Sequence, residues 1–405
     1  MGGRRATCIL WFAVFPVAAA EGEFQAFGHL AASGSSTPDA RSWRDGGVGR
    51  YLPPDPRLSA HIGLEWQPSL EWDVRVHARL DSDDSFDAAP VGLIEAFAAR
   101  RFYSESGAAW QIKAGQFFLP TSREAVDRLW QSPYNLSLSS LNSWIAEEFR
   151  PIGVDVSWRN APESEFETEW AATVFGGNDT AGALLAWRGF ASHDRLSAFG
   201  DVLRLPPLPT LSQEFSGQRD DGSRPFGPDL DGRPGYAVRT RFGQRERWRF
   251  LASFVDNRGD RALYRGEYAW HTEFAQFGFE WWPADGWTLA AEHLTGKTDM
   301  GFSDSARVDV DFETTYALAS WQWHSAWRSA LRIERFRITD RDGVAENNDD
   351  RGHGVTVSLF WQPDDDWRLG LEWQHIESRH AASDLLGIDR ETGGSVLRGE
   401  VRRYF

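Results

Sequence analysis

Arginine recurs at even spacing through this chain. Arg75 and Arg79, Arg239 and Arg241, Arg328 and Arg332, and Arg398 and Arg402 each stand two or four residues apart. Even spacing puts both members of a pair on one face of a β-strand, because strand side chains alternate. Lys113, Arg249 and Arg368 occupy polar positions of their own segments, and Arg123 and Arg128 lie in a longer connection. Cations gathered on the inner wall of a pore attract anions: rings of Arg set selectivity, and low-dielectric walls focus the field. Fewer acids share those faces, namely Asp73, Glu334, Glu372 and Glu400. If acids and arginines pair across strands, the same residues make a structural ladder of weak selectivity. The sequence leaves both readings open.

Other chemistry has thinner support. His193, Asp194 and Ser197 form the nearest string to a Ser/His/Asp constellation, which a membrane hydrolase would need, yet no other residue converges on them. Asp220, Asp221, Asp229 and Asp231 offer oxygens to Ca²⁺ but lack regular ligand spacing, so they read as a solvated loop. The ten His are scattered without metal-ligand spacing, and no Gly-rich phosphate loop leads from a strand into a helix. No cofactor and no metal are indicated.

The elements that must position these residues are strands. Leu58, Ala60, Ile62, Leu64 and Trp66 alternate with Arg57, Ser59, His61 and Glu65. Trp367, Leu369, Leu371 and Trp373 alternate with Arg368, Gly370, Glu372 and Gln374. Aromatic pairs six residues apart bracket short polar turns: Trp66 and Trp72, Phe242 and Trp248, Trp281 and Trp287, Trp321 and Trp327, Trp361 and Trp367. The last three pairs recur every 40 residues. A 40-residue period could be a four-stranded propeller blade. Here it holds two strands of about nine to eleven residues, the length that crosses a bilayer when tilted. Such strands must close on themselves, with an apolar outer band, a polar lumen and aromatic girdles. Trp suits a girdle because its ring is apolar and its N–H reaches water. A soluble sandwich would place its Trp mid-strand instead.

The spacing predicts strands near 23–32, 57–67, 71–80, 91–103, 109–118, 150–159, 165–175 and 235–243. More are expected near 246–255, 269–282, 286–295, 308–322, 326–338, 352–361, 367–376 and 395–405. The fold class is therefore all-β, a transmembrane antiparallel β-barrel of sixteen strands, wide enough for a water-filled channel. Two connections exceed hairpin length, 119–149 and 177–234. In the first, Arg123, Glu124, Asp127 and Arg128 fall at helical spacing beside an apolar stripe of Val126, Leu129 and Trp130. The second contains a fairly apolar run that would be a helix, a plug, or one more hairpin giving eighteen strands.

Arg4 and Arg5, an apolar run over 6–17 and Ala18-Ala19-Ala20 form a secretory signal peptide over 1–20, leaving a barrel over 21–405. The only cysteine, Cys8, falls within the leader, so the exported chain would have no disulfide. The formal charge is −16, and −18 once Arg4 and Arg5 leave with the leader. An acidic balance argues against a nucleic-acid partner. Mean hydropathy is −0.48, and after the leader no run of 18 apolar residues occurs, which excludes a helical multi-spanning protein. A chain of 405 residues that is 41% hydrophobic can still fold a large body.

Two stretches carry a resemblance: KAGQFFLP before the 119–149 connection and RPIGVDVSW after it, with Gly115, Phe117, Pro120, Arg150 and Gly153. Over about 45 residues they resemble the outer-membrane porin superfamily, nearest its phosphate-selective-porin-like group. The terminal Phe405, in phase with an apolar face, is similar to the C-terminal aromatic signature that barrel-assembly machinery reads; Arg403 departs from that pattern. The resemblance implies a long connection folded inward after the fifth strand, Gram-negative outer-membrane lipid around the barrel, passive diffusion of small hydrophilic solutes, and often a homotrimer. A basic wall would make the pore anion-preferring. The rival from a different class is a closed barrel with a structural, adhesion or polymer-export role, plugged by 177–234. An outer-membrane hydrolase is the other.

Overall fold

The computed structural model describes residues 22–36, 47–51, 56–82, 90–216, 218, 222–303 and 306–405. The leader, Asp83, Asp84, Asp220 and Asp221 lie outside the described residues.

Sixteen strands close into one antiparallel barrel. They are β1 (Glu23–Ser36), β2 (Arg57–Ser69), β3 (Trp72–Asp81), β4 (Val91–Tyr103), β5 (Ala109–Gln116), β6 (Ile152–Arg159), β7 (Phe166–Gly176), β8 (Gly235–Gln244) and β9 (Trp248–Asp256). A separate two-stranded sheet of β10 (Leu263–Tyr264) and β11 (Glu267–Tyr268) follows and is not part of the barrel wall. The wall resumes with β12 (His271–Trp281), β13 (Trp287–Ser303), β14 (Ala306–His324), β15 (Trp327–Asp340), β16 (Asp350–Trp361), β17 (Trp367–His380) and β18 (Glu391–Tyr404). The segment 177–234 adds no strand to the wall, so the eighteen-stranded alternative is not realised. Each strand meets its sequence neighbour, and β1 closes against β18.

Polarity is inverted relative to a soluble core. Leu331 and Ile333 on β15 and Leu369 and Leu371 on β17 face outward and are exposed, whereas Arg332, Glu334, Arg368 and Glu372 at the alternate positions are buried. A wall greasy outside and charged inside has its apolar surface against lipid, and closure leaves no strand edge unpaired there. Tryptophans meet in register at one rim: Trp248 opposite Trp281, Trp287 opposite Trp321, and Trp327 opposite Trp361. The Trp287 and Trp321 rings stack 5.3 Å apart. This rim carries the short turns; most of the long connections leave the opposite one. Not every Trp is a girdle residue. Trp130, Trp144, Trp187 and Trp270 are buried inside.

Strand ends differ from the sequence reading chiefly in β13, which runs on to Ser303, and in β1, β17 and β18, each about four residues longer than expected. The additional residues lie at the long-loop rim, where Lys297 in β13 and Glu377 in β17 break the apolar alternation.

Candidate functional site: the lumen and its two inward segments

Both long connections fold into the barrel. The first leaves at a crowded point. Gly115 (φ 135°) lies opposite Gly153 across β5 and β6. A Cβ on Gly115 would sit 2.2 Å from the Ala96 carbonyl oxygen, and one on Gly153 would sit 2.1 Å from that of Val174. Only glycine lets the neighbouring strands approach so closely. Phe117, wholly buried, then packs edge-on against Phe97. Lys113 holds its ammonium 4.0 Å from the Phe117 ring centroid, a cation–π contact.

The helix of this connection is not at 123–130. Trp130 has a positive φ of 53°, which a helix does not accommodate, and Glu124 is drawn away by other partners. Instead α1 spans Ser140–Glu148, nine residues all buried, with Ser139 as N-cap accepting from the Asn142 N–H. Acids on the wall anchor it. Glu372 accepts the Leu136 and Ser137 backbone N–H groups at 2.7 and 3.1 Å, and Glu334 accepts that of Ser140 at 2.6 Å. Arg332 reaches Glu124 at 2.5 Å, and Glu124 also takes the Ser139 N–H at 2.9 Å.

The 177–234 segment packs over it. A short helix, α2 (Ala183–Trp187), donates its Gly182 and Leu184 N–H groups to Glu148 at 3.0 and 3.1 Å. Arg188 grips Glu147 through two bonds of 2.8 Å. Burial works against the Glu147 charge, but Arg188 and His193 hold its carboxyl down at about 2. Burial without a cation raises Glu148, next along the helix, to about 7 against four hydrogen bonds that favour its anion. Trp144, Phe149, Trp187, Trp270, Phe274 and Phe312 meet in an apolar cluster inside the wall. Trp144 lies 5.2 Å from Phe274, and Trp187 5.1 Å from Trp270, ring to ring. The loop-side half of the lumen is thus a packed core, not the open water channel that strand number alone suggests.

The eleven cations named from sequence fall into two groups. Arg79, Arg123, Arg239, Arg332, Arg368 and Arg398 are buried in ion pairs: Arg79 with Asp201 (2.7 Å), Arg123 with Glu280 (3.5 Å), Arg239 with Asp155 (2.7 Å), Arg332 with Glu124, Arg368 with Glu400 (3.2 Å) and Arg398 with Asp194 (2.5 Å). Arg75, Lys113, Arg128, Arg241 and Arg249 are only partly covered, toward the short-turn rim. Acids are more numerous than the sequence reading allowed. Glu124, Asp194 and Asp201 come from the inward segments, whose path strand periodicity could not reveal, and Asp155, Glu167, Glu169 and Glu280 come from the strands.

Toward the short-turn rim several ion pairs hold their two signs at different depths, whereas Arg241 and Glu169 are about equally covered. Arg128 is 49% exposed and Arg75 25%, while Glu65, which both contact, is 10% exposed. Arg249 is 28% exposed above Glu167 at 10%, and Arg101 31% above Asp73 at 10%. In these pairs the arginine is the more exposed member and the carboxylate the more covered one. Sequence reading missed Arg101 and Arg245; Arg101 is two residues from a strand end and Arg245 sits in a turn, so neither belongs to an alternating run.

The hydrolase string does not assemble. His193 turns its Nε2 to Glu147 at 3.2 Å, while Asp194 is held between Arg57 (2.7 Å) and Arg398 (2.5 Å). Opposite charges on both sides keep the Asp194 carboxyl, despite burial, well below its usual range.

No family model matches the chain, and no curated protein matches its sequence. Solved structures do match its shape. The outer membrane channel DcaP of Acinetobacter baumannii aligns at a TM-score of 0.55 and 11% identity, over 96% of this chain and 99% of that one. An anion-selective porin from Comamonas acidovorans aligns at 0.52 and 10%, over 95% and 100%. OmpT, an outer membrane protein of Vibrio cholerae in a trimer form, aligns at 0.51 and 8%, over 95% and 99%. The fold is that of the outer-membrane porin barrel, sixteen strands closed antiparallel.

Proposed function

We propose that this chain is an outer-membrane porin, a passive channel for small hydrophilic solutes that prefers anions. The observation that carries the preference is the exposure difference in the pairs of Arg75, Arg128, Arg249 and Arg101 toward the short-turn rim, where the arginine is the more exposed member and its acid the more covered one. A permeating ion meets the nearer charge more strongly, since Coulomb energy falls with distance and water screens what lies behind. The pure protein in a planar bilayer should conduct, and a KCl gradient should give a reversal potential of anion sign. Arg75→Glu with Arg249→Glu should shift that potential toward cations. Absence of conductance at high salt would end the channel reading; cation preference in the wild type would end only the selectivity part.

A closed barrel with a structural, adhesion or polymer-export role is the second reading, and the apolar cluster around Trp144 and Trp187 favours it. The hydrolase reading has no such support, because His193 and Asp194 serve separate ion pairs. The phosphate-selective-porin-like group rests on the short stretches around Gly115 and Gly153. Cleavage after Ala20, recognition of Phe405 by barrel-assembly machinery, and a homotrimer of the kind reported for OmpT complete the proposal; N-terminal sequencing of the membrane form should start at Glu21.

A further inference from the structure

The outer wall carries an arginine ladder that the channel does not use. Outward positions on β15 run Leu331, Ile333, Arg335, Arg337 toward the long-loop rim, and those on β16 run Leu359, Val357, Val355, His353, Arg351. On β17 they run Leu371, Trp373, His375, Glu377, Arg379. Register places Arg337 directly opposite Arg351, and Arg351 directly opposite Arg379. Three cations therefore stand side by side on neighbouring strands. Like charges directly opposite each other destabilise a sheet, so this row calls for an anion.

The protein supplies little of one. Arg379 lies 3.9 Å from Glu391 and Arg335 lies 3.6 Å from Glu313, all four well exposed, while His353 lies 3.4 Å from Glu377. The Arg337 and Arg351 side chains have no ion pair or hydrogen bond among the described residues. The row borders an open cleft of about 830 Å³ whose lining includes Arg335, Arg337, Arg351, His353 and Arg379, with the acids Glu377 and Glu391 and with Gly393 on its far side. Gly393 faces outward without a side chain, which deepens the hollow.

We propose that this cleft binds the phosphate group of a lipid in the outer leaflet. Guanidinium forks match phosphate oxygens two at a time. The same strands continue downward into Ile333, Val357, Leu371 and Trp373, so one amphiphile would place its phosphate on the arginines and its acyl chains on the apolar wall. A free phosphate ion would use only the upper half of that surface. A second copy of this chain would have to bring acids to the row.

The test uses the full-length protein in detergent with diphosphoryl lipid A as probe, read by native mass spectrometry. The wild type should retain the lipid at least about tenfold more than Arg337→Ala/Arg351→Ala, losing two charge-assisted contacts. The enzymatically dephosphorylated lipid should not separate the two proteins, and inorganic phosphate at millimolar concentration should not compete. Lys297→Ala, another outward cation at this rim, controls for general loss of charge. Both variants change exposed side chains, and far-UV circular dichroism confirms the barrel. Equal retention, equal effect of Lys297→Ala, full competition by inorganic phosphate, or a change in oligomeric mass with lipid retention unchanged would each overturn the proposal.

Discussion

At the residue scale, Glu147 and Glu148 are adjacent on one helix, equally buried, and opposite in behaviour. Glu147 shares its charge with Arg188, and removing that arginine would leave a buried carboxylate with only the His193 ring beside it. Arg188→Ala should lower the midpoint of urea unfolding by the equivalent of about 3–5 kcal/mol, the usual loss for a broken buried pair. Arg188→Leu with Glu147→Leu should recover most of it. Glu148 has only neutral donors: the Trp144 indole at 2.7 Å, Ser223 Oγ at 2.5 Å and two backbone N–H groups. Its folded value is raised to about 7 from 4.5, so the folded state holds its proton more tightly than the unfolded chain. The stability this contributes is whole below pH 4.5 and is lost as pH climbs to about 7. Glu147 runs the other way: its contribution is whole above 4.5 and is lost as pH falls to about 2. Glu148→Gln should flatten the unfolding midpoint between pH 4.5 and 7 while leaving the acid limb in place, as a pH series of unfolding curves would display.

At the element scale, the wall was legible from sequence and the filling was not. Alternation in Trp367–Gln374 or Arg57–Trp66 reports a local constraint, one face to lipid and one inward, that each strand satisfies alone. The count of sixteen followed from it. The inward segments obey no local period, because their surroundings are the barrel interior assembled from distant strands. Helical spacing at Arg123, Glu124, Asp127 and Arg128 was therefore misleading. Glu124 is committed to Arg332, some two hundred residues along, and the helix forms at Ser140–Glu148, where Ser139 caps it and wall acids take its free N–H groups. Among the candidate cations, sequence found the strand positions that face inward but not which would be sealed by Asp194, Asp201 and Glu124. If the 177–234 segment fills the lumen as its packing implies, replacing 183–226 with a short flexible linker should raise single-channel conductance several-fold, as expected when a wide barrel loses its filling. Unchanged conductance would show that ions pass elsewhere. Gly115→Val, placing side-chain atoms into the Ala96 carbonyl, should cut the yield of folded barrel as judged by heat-modifiable gel mobility.

At the scale of the whole molecule, the acidic formal charge and the basic wetted lumen are compatible because charge is sorted by position. Asp349, Asp364, Asp365 and Asp366 lie in exposed connections, whereas Arg75, Arg128 and Arg249 line the interior. Selectivity should then weaken with salt: raising KCl from 0.1 to 1 M, where screening shortens from about 10 to about 3 Å, should bring the reversal potential closer to that of a neutral pore. The seam of the barrel has a consequence of its own. Phe405 and Gly28 exchange backbone hydrogen bonds of 3.0 and 3.1 Å, and β1 runs along β18 from Ser36 opposite Leu397 to His29 opposite Tyr404. β1 and β18, the wall strands farthest apart along the chain, are thus partners. A barrel lacking either one would leave the other with a bare backbone edge in lipid, where unpaired groups cost several kcal/mol. The seam is in this sense the latch of the fold: closure needs both strands at once, and no partial barrel offers a stable halfway state.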